Sequence, residues 1–400
     1  MKGYNYNDIK INNRYEIIQK VYQGTDVNRN SITRETGLTG AAITKIINSL
    51  INEKYISETN YFSSARNRRA RYLSICEHTL GVLIFYFARN TITAAITDIS
   101  GKILYSRDYS ISYSMIDEII ITGIVAETMK HFPGNMPCIG CTCITPGIRC
   151  SGEAAIPCRA AKSFPYYWDI KKLQTIIEED YRIPFCTEND TNAALLGEKW
   201  FGEGKDSSNF ALYNIGKGTG AAVCVQGKLL KGYYNSSIEI GHVSINFEGP
   251  GCSCGNRGCL ELYTSVDSWE KKLAQMPAFD NYTNKVESMF LNARAGDATS
   301  GDLVLEFAHM AAEGALILAN LFSPEKIIVT TNESDYIYLP PIIGVIEEEI
   351  NRRIFSVNAQ DIAVEASKLR KNSYILGGIA VALENHFFTM KDSSPRTTDQ

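Results

Sequence analysis

Three cysteines and a histidine restrict this chain more than any other feature. Cys252, Cys254 and Cys259 fall within eight residues of a glycine-rich run, Gly251-Cys-Ser-Cys-Gly-Asn-Arg-Gly-Cys-Leu-Glu261, and His242 lies ten residues before the first of them. Thiolates and imidazole are ligands that zinc favours, and four is the number a closed tetrahedral site takes. Interleaved glycines let a short loop wrap tightly around an ion. The spacing predicts one structural Zn(II) ion held by a loop over 242–259, between a strand at Val243–Phe247 and a helix after Glu261. In such a loop metal affinity becomes folding free energy. Ordinary buried cysteines are the other reading of the same residues.

The remaining cysteines do not change that picture. Eleven cysteines, an odd number in a chain of 400 residues, do not make a secreted disulfide framework. A second run, Cys138-Ile-Gly-Cys141-Thr-Cys143, reads as small core residues of a strand leading to Pro146-Gly147 rather than as a second metal site. With 44% hydrophobic and 21% charged residues the composition is that of a globular protein, long enough for two or three domains. No apolar stretch is long enough to span a membrane and the start has no apolar export signal, so a cytoplasmic protein without a membrane partner is expected.

The formal net charge of -4 conceals an asymmetry. Residues 1–75 carry twelve Lys/Arg against six Asp/Glu, whereas the rest of the chain carries 28 against 38. A basic head on an acidic body is the electrostatic footprint of a DNA-binding module, although a solvated basic surface has the same composition. Patterning supplies the second argument. Ile11, Tyr15, Ile18 and Tyr22 recur at helical spacing and predict a first helix over Asn12–Tyr22. Asn30 or Ser31 can cap a short helix over Ile32–Thr36, and Gly37 follows where a left-handed residue is needed. Thr39 opens a third helix running to Glu53, with Ile43, Ile46, Ile47 and Leu50 on its core face and Thr44, Lys45 and Asn48 facing outward.

That order is a helix-turn-helix whose third helix enters a major groove, with Thr39, Thr44, Lys45 and Asn48 as candidate DNA contacts. Over 54–75 two strands are predicted, joined by Ser63-Ser-Ala-Arg66-Asn-Arg68-Arg69, a basic wing suited to phosphates or a minor groove through Arg66, Arg68 and Arg69. A helical hairpin used only for dimerisation is the competing reading. Residues 1–75 are therefore expected to form a winged helix-turn-helix domain.

From residue 76 the pattern becomes α/β. Strands are predicted over Leu80–Phe87, Thr91–Asp98, Lys102–Tyr109 and Pro137–Ile144, with a helix over Ile116–Phe132 between the last two. A long helix at Leu303–Leu321, a strand at Lys326–Thr330, a helix at Pro341–Arg353 and a last helix after Gly377-Gly378 close the chain. No internal repeat is visible, and residues 391–400 form a polar tail expected to be disordered.

The motifs Glu239-Ile-Gly-His242 and Cys252-x-Cys254-Gly-x-x-Gly-Cys259-x-Glu261 resemble the signature of the ROK family, whose members are repressors, sugar kinases and uncharacterised relatives. With the preceding helix-turn-helix, residues 10–390 are similar to its repressor branch, the repressors of xylose and N-acetylglucosamine genes. The resemblance implies an actin-like, two-lobed sugar-kinase (ROK) domain over 76–390 with a ligand cleft between lobes. It implies that Asn189 and Asp190, in Thr187-Glu-Asn-Asp-Thr-Asn-Ala-Ala194, together with Glu239, His242 and Glu261, bind sugar hydroxyls. A carboxylate and an amide at a strand-to-helix turn offer the acceptors and donors a polyol requires. Spacing alone leaves Asp190 equally open to being a helix N-cap.

The expected function is a sugar-responsive transcription repressor of carbohydrate genes, not an enzyme. It would act as a homo-oligomer, a dimer or a dimer of dimers, on a double-stranded DNA operator, with a sugar or sugar phosphate as effector. A kinase of the family needs a phosphate-binding Asp-x-Gly-Gly-Thr turn, and Tyr86-Phe-Ala-Arg-Asn90 stands where it would fall. Val329-Thr-Thr-Asn-Glu333 likewise lacks the glycines expected beside an adenosine. Gly216-Lys-Gly-Thr-Gly220 remains glycine-rich, which reads as a tight turn between strands Asn209–Ile215 and Ala221–Gln226. It is also the best argument for the alternative, an ATP-dependent sugar kinase with an appended DNA-binding domain, using Asp190 as base. A ligand-independent DNA-binding protein is the third reading.

Overall fold

The computed structural model describes residues 6–24, 26–62, 69–88, 91–111, 118–146, 170–232, 237–331, 339–355 and 362–389. The chain divides into two compact units: the first takes the chain up to Thr145, a segment ending at Glu188 and everything from Ile375 onward, and the second is built on Asn189–Tyr374.

The first unit opens with helices α1 (Tyr6–Gln23), α2 (Arg29–Thr36) and α3 (Gly40–Asn52), followed by the antiparallel pair β1 (Ile56–Phe62) and β2 (Arg69–Ile75). Helix α1 is longer than predicted, and its inward stripe is Ile17, Ile18, Val21 and Tyr22. The cap of α2 is Asn28, not Asn30 or Ser31. Its Oδ1 accepts from the backbone of both, and the Ser31 hydroxyl accepts from the Asn28 amide, closing a reciprocal capping box. Gly37 ends the helix in the left-handed region. Thr39 caps α3 through its hydroxyl, and Ile43, Ile47 and Leu50 are fully buried on one face. Residues 63–68, the tip of the expected wing, lie outside the described residues, as do Arg66, Arg68, the Arg69 side chain and the expected disordered tail.

Strands β3 (Gly81–Ala88), β4 (Thr91–Asp98) and β5 (Ile103–Ser110), helix α4 (Glu118–Lys130), strand β6 (Cys138–Thr145), helix α5 (Ile170–Thr175) and strand β7 (Phe185–Asn189) follow. They form a sheet of order β5-β4-β3-β6-β7, in which β3 and β4 are antiparallel and β3 and β6 parallel. Cys141 and Cys143 are buried in β6.

The second unit holds helix α6 (Asp190–Phe201), strands β8 (Phe210–Ile215), β9 (Thr219–Val225) and β10 (Lys228–Leu229), helices α7 (Glu261–Thr264), α8 (Val266–Leu273), α9 (Lys285–Arg294) and α10 (Ala298–Phe322), strand β11 (Lys326–Thr330), helix α11 (Leu339–Arg353) and strand β12 (Ala363–Ala366). Its sheet runs β10-β9-β8-β11-β12. Both sheets share one plan: an antiparallel meander of three strands, then two strands added beyond the first. The internal repeat missing from the sequence is therefore present in the topology, because strand order survives where side chains no longer correspond. Helix α10 is the spine of the second core, where Phe307, Ala311, Ala315 and Leu318 pack with Trp269, Phe290 and Tyr213.

Helix α12 (Asn372–Thr389) starts before Gly377-Gly378, not after them. Any side chain at Gly378 would come within 3.1–3.2 Å of Ile84, and its carbonyl accepts a 2.8 Å hydrogen bond from Thr142, so this glycine serves close helix-to-sheet approach rather than chain breaking. Val243–Phe247 is not a strand. It is held by a single bridge between Ser244 and Cys259 and by the Ile245 amide donating to the Gly258 carbonyl.

The head packs within the first unit. The Tyr22 hydroxyl donates to the Ile99 carbonyl in the β4–β5 turn. Tyr55 shares a 2.7 Å hydrogen bond with His386 Nε2, while Tyr15, Tyr55 and the Arg14 guanidinium gather around the Phe387 ring.

Candidate metal centre and sugar site

The four residues singled out for metal binding come together. The ligand atoms of His242, Cys252, Cys254 and Cys259 all lie within 4.8 Å of one another. Cys254 Sγ and Cys259 Sγ are 3.7 Å apart, as are Cys252 Sγ and His242 Nδ1. A tetrahedron with Zn–S bonds of about 2.3 Å has S···S edges of roughly 3.8 Å. The donor set and its spacing thus fit a zinc-sized ion, and the cluster could hold a metal.

Backbone turns make this cluster. The Cys252 amide donates to the Asn256 carbonyl, the Gly255 amide to the Cys252 carbonyl and the Gly258 amide to the Pro250 carbonyl. Gly258 sits at φ 60°, and a Cβ there would fall 1.6 Å from the Asn246 carbonyl oxygen, so no other residue fits. Burial, then Cys252 and Cys254, push the Cys259 thiol up to about 12, whereas at Cys254 burial is outweighed by hydrogen bonds from the Asn256 backbone and the neighbouring thiols, which hold it below its usual range.

The candidate sugar residues also belong to the second unit. Asn189 ends β7 and caps α6, its Oδ1 accepting from the Asn192 amide at 3.1 Å. The capping role left open for Asp190 therefore falls to its neighbour. Asp190 accepts from the Thr191 amide at 2.8 Å, and burial first, then Glu239, raises its carboxyl to about 6. The Glu239 carboxyl is raised too, mainly by loss of solvent around it and further by Glu261, while the Ser237 hydroxyl orients it at 2.8 Å. Three carboxylates that feel one another in this way form one acceptor-rich patch beside the metal-ligand cluster.

The glycine turn is tied into the same patch. Glu261 Oε2 accepts from the Thr219 amide at 3.1 Å, and a Cβ at Gly241 would sit 2.3 Å from the Thr219 carbonyl oxygen. The Gly216 amide donates to the Gly218 carbonyl, closing the turn between β8 and β9. Thr219 and Ser237 were not singled out from the sequence, since hydroxyls and amides near a glycine turn carry no spacing signal. Tyr86 and Phe87 are buried at the end of β3, whereas Arg89 and Asn90 lie outside the described residues, as do 332 and 333.

On the head, Thr44, Lys45 and Asn48 are exposed on α3. Thr44 bonds back to the Gly40 carbonyl at 2.8 Å, and Asn48 is engaged by Arg29.

A winged helix-turn-helix joined to paired α/β units, with an acceptor-rich patch beside a Cys/His cluster, defines a transcriptional regulator built on a sugar-kinase frame. The ROK family model matches residues 88–385, and the chain belongs to the ROK family. It is 25% identical to the xylose repressor of Caldicellulosiruptor bescii, over 95% of this chain and 98% of that one. Among solved structures, a ROK family transcriptional regulator homologous to Mlc of Escherichia coli is 25% identical and superposes with a TM-score of 0.78, covering 96% of this chain and 98% of that one. A ROK glucokinase from Streptomyces griseus, solved with glucose and AMPPNP, shares the fold at 23% identity and a TM-score of 0.64, covering 76% of this chain and 99% of that one. The repressor likeness extends nearly the full length, whereas the family model begins downstream of the helix-turn-helix.

Proposed function

We propose that the protein is a cytoplasmic, zinc-containing repressor of carbohydrate genes whose hold on DNA is set by a sugar. The observation that carries this reading is the joining, in one chain, of the exposed polar face of α3 to the Asn189, Asp190, Glu239 and Glu261 patch. Helix α3 would read the operator through Thr44, Lys45 and Asn48, with a dimer matching a two-fold site. Thr39 would serve as the cap that aims the helix N-terminus at a phosphate. Zinc would be held by Cys252, Cys254, Cys259 and His242 Nδ1, leaving the His242 Nε2–H to a sugar hydroxyl. The carboxylates and the Asn189 amide would bind the remaining hydroxyls. A sugar shifts DNA affinity only by the difference in its affinity for the DNA-bound and free states.

The test is a titration of the purified full chain on the DNA upstream of its own gene, with xylose, glucose, N-acetylglucosamine and their phosphates. A discrete complex altered by one sugar is the expected result. A complex indifferent to all of them would remove the sensor half of the reading.

The kinase reading retains one favouring observation. Asp190, with its carboxyl raised to about 6, is suited to accept a hydroxyl proton. Transfer of radiolabelled phosphate from ATP to any sugar of the same panel would establish it.

A further inference from the structure

We infer that Arg29 is a positioning residue for sequence reading, fixing the Asn48 amide on the recognition helix from a clamp on the first wing strand. This rests on the reading of α3 as the helix that meets base edges. Arg29 stands at the start of α2, half-buried. Its Nε donates to Glu58 Oε1 at 2.9 Å and one terminal nitrogen donates to Glu58 Oε2 at 3.2 Å. The same nitrogen donates to Asn48 Oδ1 at 2.9 Å. One planar guanidinium therefore ties α2, α3 and β1 together. Arg71 of β2 approaches the same carboxylate at 3.8 Å and stays largely exposed.

The chemistry fixes which way the amide faces. A guanidinium only donates, so the atom it meets on Asn48 must be the oxygen, and the NH2 group turns away from it. Asn48 then offers hydrogen-bond donors outward from an exposed position on α3. In a major groove those donors match the N7 and O6 acceptors of purines or O4 of thymine, and they mismatch cytosine, whose edge presents a donor. A free asparagine would sample both faces and lose that discrimination. Both Glu58 oxygens engage Arg29, so the guanidinium is held for this task rather than extended toward a phosphate.

The experiment equilibrates full-length wild type, Asn48→Ala, Arg29→Ala, Arg29→Lys and the Asn48→Ala/Arg29→Ala double variant with randomised duplex DNA, and sequences the bound fraction. Asn48→Ala is expected to flatten the preference at one symmetry-related pair of positions by about tenfold. Arg29→Ala and Arg29→Lys are expected to flatten the same pair, and the double variant to add nothing further. Retained preferences at all other positions report that the head is folded. Should Arg29→Ala unfold the head, Arg29→Lys and Glu58→Gln, which keep its packing, are expected to flatten that same pair. A uniform loss across all sequences on Arg29→Ala that Arg29→Lys restores would make Arg29 a phosphate contact and overturn the inference while leaving α3 as the reader. Unchanged preferences in Asn48→Ala would overturn the reading of α3 through Asn48 and the inference with it.

Discussion

Tyr55 and His386, separated by 331 positions in the sequence, share a 2.7 Å hydrogen bond that joins the base of the wing to the end of the last helix. Phe387 lies beside them, fully enclosed by Tyr15, Tyr55 and Arg14. Phe387→Ala should cost about 3–5 kcal/mol at this seam, and Tyr55→Phe about 1 kcal/mol. Limited proteolysis of the head, followed with and without DNA, would register both, with Phe387→Ala the more susceptible.

The same seam should respond to acid. Burial holds the His386 imidazole below its usual range, with Tyr55, Glu53 and Arg14 as its charged or titratable neighbours. The folded state thus binds that proton less well than the unfolded chain, and stability is lost as pH falls through the ordinary histidine range toward the depressed folded value. Thermal unfolding measured across that range should show a decline that His386→Gln flattens. An identical decline in the variant would assign the acid sensitivity elsewhere.

Zinc removal should act as a folding perturbation. Metal analysis of the purified chain is expected to find one zinc per chain, and Cys254→Ser or a strong chelator should remove it and lower the melting temperature by on the order of 10 °C. Full metal content in Cys254→Ser would show that the ion sits elsewhere.

Gly241 lies between Glu239, a candidate sugar ligand, and His242 of the Cys/His cluster. A methyl group there would meet the Thr219 carbonyl oxygen at 2.3 Å and the Glu261 Cβ at 3.5 Å, whereas none of the three cysteines is among its nearest neighbours. Gly241→Ala is expected to keep its zinc and lose sugar binding by tenfold or more, about 1.4 kcal/mol. Isothermal titration beside metal analysis decides it, and equal loss of both would mean that the two sites are one structural unit.

Sugar affinity should carry the signature of Asp190. Hydroxyl donors favour the carboxylate over the acid, so affinity is expected to weaken as pH falls through about 6, where Asp190 takes up a proton. Asp190→Asn should bind weakly at every pH and show no such step.

Much of this was legible in the residues. The cysteine spacing foretold that His242, Cys252, Cys254 and Cys259 come together, and the isoleucines of α3 marked its buried face, because both signals are local. Asn28 was missed as a cap because three cap-competent residues within four positions, Asn28, Asn30 and Ser31, differ in role only by which one leaves the helical backbone. Gly377-Gly378 resembled a helix start because glycine reads alike whether it breaks a helix or lets one press on a sheet. Val243–Phe247 had strand-like alternation, yet its pairing depends on a bridge from Ser244 to Cys259, fifteen positions away. The Arg29 clamp was invisible for a related reason: helical phase shows that Asn48 faces outward but not which side chain from another element holds it.

The two sheets are built to one strand order, and among the described residues the Cys/His cluster and the candidate sugar carboxylates fall in the second unit. The first sheet's unit instead meets the helix-turn-helix head at its β4–β5 turn and at the end of α12. On the proposed reading, operator preference and effector preference draw on residues from different halves of the fold and can drift separately.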